Sequence, residues 1–184
     1  MVDHRRPLII GLAALLLPLM GQARAQEKAG RDEVPAADPA EVESIDAIIG
    51  AVYDAISGPA GERDWDRMRS LFAPGGRLIP VGRDQQGEVT MNVLDIDGFI
   101  AQADPYIQQN AFFERELRRR TERFGHIAHA FSTYASYHSA EDAEPFTRGI
   151  NSFQLMYDGK RWWIVTVFWE AESPDNPIPE GYLP

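Results

Sequence analysis

Of the chain's four histidines, His126, His129 and His138 lie in its downstream half, and imidazoles are the side chains best suited to move protons or hold a metal near neutral pH. The "HIAH" spacing would suit a metal on a helix. The segment "HIAHAFSTYASYH" is rich in aromatic and β-branched residues and reads as a strand, where an offset of three sends His126 and His129 to opposite faces. No metal site is expected there. One of the pair must still face inward as a candidate general base. His129 shares parity with Ile127 and Phe131 and is the better choice, with a core histidine satisfied by the Ser132 or Tyr134 hydroxyl as the plainer alternative.

Asn151 and Thr166 are neutral donors and acceptors within apolar surroundings, suited to orienting a small ligand or simply to bonding each other across two strands. Asp46 and Asp54 flank an apolar helical stripe and read as solvated positions. Glu170 sits near a strand end, where it could bring charge to a pocket mouth. Ser132 has no "GxSxG" context, and no Gly-rich phosphate loop is present. The absence of cysteine removes disulfides, thiolate nucleophiles and thiolate metal sites. No cofactor is expected.

These residues depend on a hairpin, "RGINSFQLMYDGKRWWIVTVFWEAE", which carries three of the four tryptophans. Asp158-Gly159 fits a two-residue type I′ turn. Counting from it puts Leu155 opposite Trp162, Phe153 opposite Ile164, Asn151 opposite Thr166 and Gly149 opposite Phe168. That face, with Tyr53 from the first helix, forms the expected ligand wall: Tyr53, Asn151, Phe153, Trp162, Ile164, Thr166 and Phe168. The other face carries Gln154, Trp163, Val165 and Trp169 and is expected to form a homodimer contact. The alternative is that the Pro-rich tail 173–184 wraps back over its tryptophans.

Upstream, Ile45, Ile48, Ile49, Val52, Tyr53 and Ile56 recur at helical spacing. Asp64 caps a short second helix carrying Trp65, Met68, Leu71 and Phe72. "RLIPV" and "EVTMNVL" are short strands, and "DIDGFIAQADPYIQQN" is a third helix that Pro105 should bend or divide. "AFFERELRRRTERFG" has a helix-forming composition but is assigned as a strand, because the strands that follow need a neighbour. Helices first and strands last indicate a single-domain α+β fold.

Residues 1–25 combine a basic start, an apolar run from Leu8 to Met20 and Ala23-Arg24-Ala25, the three parts of a secretory signal. Residues 26–40 read as a flexible leader and 41–172 as the folded domain. The expected location is periplasmic or secreted. Losing residues 1–25 would move the net charge from −10 to about −12, which disfavours nucleic acid and anionic membranes as partners.

The apolar first helix, "ERDWDRMRSLFAPGGRLI", "FGHIAHAFSTY" and "DGKRWWIVTVFWEAE" together resemble the superfamily named for nuclear transport factor 2, which includes ketosteroid isomerase-like and SnoaL-like proteins. The resemblance spans roughly residues 41–172. It implies a cone-shaped, curved antiparallel sheet wrapped around N-terminal helices, with an internal pocket and commonly a dimer. The superfamily includes isomerases, dehydratases, cyclases and binding modules, so the fold does not fix the chemistry. The expected function is an exported domain holding a small, mostly apolar molecule. A SnoaL-like or ketosteroid isomerase-like lyase or isomerase using an inward histidine is one alternative, and a structural dimer or adaptor with a filled cone is another.

Overall fold

The computed structural model describes residues 34–184. The expected signal segment, and the leader up to residue 33, lie outside the described residues. Helix α1 (Pro39–Val42) starts within the stretch read as the leader's end, where the Asp38 carboxylate accepts a bond from the Ala40 N–H. Helix α2 (Ile45–Ile56) follows Ser44, whose hydroxyl accepts from the Ala47 N–H at 3.0 Å. Its apolar stripe is buried as the spacing requires, with Ile48 and Ile49 fully enclosed. Helix α3 (Trp65–Leu71) is capped by Asp64 as expected.

Strands β1 (Phe72–Arg83), β2 (Val89–Met91) and β3 (Leu94–Asp95) lead into helix α4 (Ile96–Ile107), capped by Asp95. Pro105 does not divide α4. It lies in the last turn, where its missing N–H removes one bond while Gln108 still donates to the Asp104 carbonyl. Strands β4 (Phe113–Phe124), β5 (Ile127–Tyr137), β6 (Thr147–Tyr157) and β7 (Trp162–Ala171) complete the sheet. "FERELRRRTERF" is therefore a strand despite its composition, because pairing along β5 outweighs helix propensity.

The fold is α+β with a seven-stranded sheet ordered β2-β1-β7-β6-β5-β4, β3 pairing with β1 beside it. The sheet is mixed rather than purely antiparallel. β4 to β7 form an antiparallel meander, but β1 runs parallel to β7 because the chain enters it from α3 instead of through a hairpin. The helices pack on one face of this sheet. There Met68, Leu71, Phe153, Leu155, Trp162 and Ile164 close the core around α2, each contributing roughly 1.5–3 kcal/mol of apolar burial.

The last hairpin departs from the expected register in two steps. Asp158 is not in the positive-φ region that a type I′ turn needs; only Gly159 is, at φ 97°. The Asp158 carboxylate instead accepts from the Lys160 and Arg161 N–H groups at 2.8 and 2.9 Å, and Tyr157 pairs with Trp162 across a longer loop. That shifts pairing by an even number, so Trp162 and Ile164 stay inside. A bulge at Val165 then adds one residue, and everything beyond it changes face. Val167 and Trp169 point toward the helices, while Thr166 and Phe168 point away.

The same parity places His129 on the outer face. Its Cα partner is Gln154, its Nε2 lies 3.0 Å from the Ser152 hydroxyl, and neighbouring Ile127 is 61% exposed. Sharing parity with Ile127 and Phe131 was a misleading guide, because Phe131 is covered from outside by the tail. Tyr182 packs edge-on against Phe131, the Thr133 hydroxyl donates to the Tyr182 carbonyl at 2.7 Å, and Ile178 is buried. The tail is thus a strap over one end of the outer face. It leaves Trp163 to be covered by Arg161, whose guanidinium lies 3.7 Å from the ring centre.

Candidate functional site

Between the helices and the inner face lies a cavity of about 220 Å³. Val52 and Ile56 of α2 and Met68 of α3 form one wall, Phe153, Val167 and Trp169 another. Helix α4 closes the side with Phe99, Ala103, Tyr106 and Ile107, a stripe at helical spacing. Phe99 meets Trp169 edge-on at 6.4 Å, and the Trp65 indole N–H donates to the Asp104 carboxylate at 2.7 Å, tying α4 to α3. Beyond the cavity lining, the Arg63 guanidinium donates to the carbonyls of Ile56, Gly58, Pro59 and Gly61. That holds the turn whose Gly58 pairs with Phe112.

The polar end of this apolar space holds Glu114, Asn151 and Tyr134. Glu114, the second residue of β4, is half-buried and lines the cavity. The Ser136 hydroxyl donates to it at 2.8 Å. Burial pushes its carboxyl up to about 7, against the opposing pull of Ser136 and Asn151. Tyr134 and Tyr53 are pushed above the ordinary phenol range, chiefly by burial and then by the Glu114 charge. Both phenols are neutral hydrogen-bonding groups in the working range.

A directed chain of bonds fixes Asn151. Its amide Nδ2 donates to the Tyr53 phenol at 3.1 Å. The phenol lies 2.7 Å from the Ser132 hydroxyl, and that hydroxyl donates to the Glu116 carboxylate at 2.6 Å. Because the carboxylate only accepts and the amide nitrogen only donates, every proton between them has one direction. Ser132 is thus a structural link, with no nucleophile's partners around it. Its strand position follows from β5, where Ala128, Ala130, Ser132 and Tyr134 face inward.

The residues expected at the ligand wall separate into three groups. Asn151 and Phe153 line the cavity. Tyr53, Trp162 and Ile164 are buried behind it, Tyr53 as the support of Asn151. Thr166, Phe168 and His129 are on the opposite face, so the expected Asn151–Thr166 pair does not form; Asn151 is opposite Trp169. Trp169 correspondingly leaves the proposed dimer face, on which Gln154, Trp163 and Val165 remain. Glu114, Tyr134 and Trp169 were not anticipated at the site. Once "AFFERELRRR" is taken as a strand, a carboxylate in step with Phe112 was the available signal for Glu114. Among the described residues no group of three or more acidic or histidine side chains converges as a metal site would require.

No protein-family profile and no curated protein matches the chain. Solved structures do. A protein of unknown function with a cystatin-like fold from Nostoc punctiforme is 11% identical, with a TM-score of 0.53, covering 71% of this chain and 90% of that one. A nuclear transport factor 2-like protein of unknown function from Pseudomonas putida is also 11% identical at a TM-score of 0.53, covering 73% and 90%. A protein of unknown function from Mycobacterium tuberculosis is 14% identical at a TM-score of 0.50, covering 75% and 80%. The chain has the nuclear transport factor 2-like fold.

Proposed function

We propose that this nuclear transport factor 2-like domain is an exported binding protein for a small, mostly apolar molecule held in the cavity between α2, α4 and the inner face of the sheet. The observation that carries the reading is an apolar cavity of about 220 Å³ with its polar groups gathered at one end around Glu114 and Asn151. Apolar walls supply the affinity and the polar end supplies orientation. An open cavity also weighs against a cone filled by its own side chains. Export rests on the sequence pattern of residues 1–25. Native mass spectrometry of protein purified from its host tests the binding reading. A noncovalent adduct released on denaturation supports it, and the bare mass from several preparations counts against it.

A second reading, proton transfer within the bound molecule, is favoured by one observation: Glu114 is pushed up to about 7, where a carboxyl exchanges protons readily under ordinary conditions. Glu114 replaces His129 as the candidate base, since only Glu114 reaches the cavity. Turnover of a bound compound with a pH dependence that Glu114→Gln abolishes would move the assignment from binding protein to isomerase or lyase.

A further inference from the structure

The cavity's charge balance says more about its ligand than its size does. Its walls include the rings of Phe99, Tyr106, Phe112, Tyr134, Phe153 and Trp169, and among the described residues Glu114 is the only charged one lining it. Among the described residues no lysine, arginine or histidine lines it. The groups facing Glu114 from other elements, Tyr53 of α2, Ser136 and Tyr134 of β5 and Asn151 of β6, are all neutral. Glu116, the next inward carboxylate on β4, is paired with Arg119 at 3.7 Å, which leaves Glu114 without that cation, and the chain as a whole carries a net charge of −10.

A carboxylate in an apolar enclosure without a counter-cation is an uncommon arrangement. It costs desolvation that the neutral Ser136 and Asn151 hydrogen bonds offset only in part. Aromatic ring faces attract cations through their quadrupoles, and the attraction strengthens when water is excluded. Both features favour one kind of guest and disfavour its opposite. An ammonium would meet the missing counter-charge and the ring faces together, whereas an anionic head would sit beside a like charge with no cation to relieve it.

Resting on the binding reading above, we propose that the cavity selects lipophilic amines, with an aryl or alkyl body among the aromatic walls and a protonated nitrogen bound to Glu114. Asn151, held by the Tyr53–Ser132–Glu116 chain, and the Tyr134 phenol complete the polar end. The overall acidic charge assists by drawing cations toward the protein.

The test is a matched set of three probes sharing one body: phenylpropylamine, phenylpropanol and phenylpropionate, titrated calorimetrically at about pH 8, where the amine and Glu114 are both charged. The expected order is amine at least about tenfold tighter than alcohol, with the acid weakest. Glu114→Gln keeps the shape and an acceptor for the Ser136 bond but removes the charge, and it should bring the amine level with the alcohol. If the alcohol or the acid binds best, or the amine keeps its advantage in Glu114→Gln, the amine assignment falls and the cavity remains a binding site. If none of the three binds, the binding reading and the amine assignment fall together.

Discussion

Gly149 stands directly across the β5–β6 ladder from Tyr134, and a Cβ at residue 149 would come within 2.5 Å of the tyrosine's phenolic oxygen and 2.4 Å of the Glu170 carbonyl. The missing side chain is what allows a tyrosine to lie flat at the polar end of the cavity. The fold could not place Tyr134 there opposite any other residue.

Gly149→Ala should therefore displace Tyr134 and strain the β6–β7 ladder together. The expected cost is about 1–3 kcal/mol, the usual range for overpacking, measured by urea unfolding. Gly149→Ala combined with Tyr134→Phe should recover little of it, since the Glu170 carbonyl contact persists.

Glu114 gives stability a pH dependence of definite sign. In the folded protein its carboxyl is pushed up to about 7 from an ordinary 4.5. Between those values the folded state keeps a proton that the unfolded chain has released. Its contribution is therefore fully present below about pH 4.5 and is lost as pH rises through about 7. With about 1.4 kcal/mol per pKa unit, the loss is at most about 3.5 kcal/mol. Unfolding of ligand-free protein as a function of pH should show this decline, and Glu114→Gln should flatten it.

Tyr53 links the first long helix to the site, through Ser132 at 2.7 Å and Asn151 at 3.1 Å. Tyr53→Phe keeps the ring and its edge-on contact with Phe153 at 6.2 Å. It removes the hydroxyl, leaving Ser132 to its Glu116 bond and Asn151 without its support. A loss of about 1–2 kcal/mol in stability is expected. A larger proportional loss in ligand affinity should accompany it, because Asn151 becomes free to rotate.

His129→Gln should leave ligand binding unchanged within error. The histidine bonds Ser152 on the outer face, with the sheet between it and the cavity. Calorimetry with any cavity ligand checks this, and a clear loss would place a binding site on the outer face instead.

The helices and most strands were legible because burial follows their spacing: Ile48, Ile49, Val52 and Tyr53 are buried where the period of α2 puts them. Strand β4 was legible only through its neighbours. The inner face was legible up to Ile164 and lost beyond it, since the Val165 bulge leaves no mark in a sequence that is apolar on both parities. Asp158-Gly159 misled for a related reason. The Asp158 carboxylate is occupied by two backbone N–H groups and the Trp163 indole at 2.7 Å, a geometry that a turn-type preference does not report. Candidate residues before the bulge, Asn151 and Phe153, reached the cavity, while those after it, Thr166 and Phe168, did not.

The measurement that bears most directly on the central claim is binding by a variant with its cavity filled. Ala103 faces the cavity from α4, and Ala103→Trp should occupy much of the space that a ligand would use without disturbing the sheet. A thermal-shift screen of small apolar ring compounds, amines among them, is run on both proteins. Stabilisation follows native-state affinity, so hits should raise the melting temperature of the parent protein and not that of folded Ala103→Trp. Equal shifts in both proteins would contradict a ligand site in this cavity.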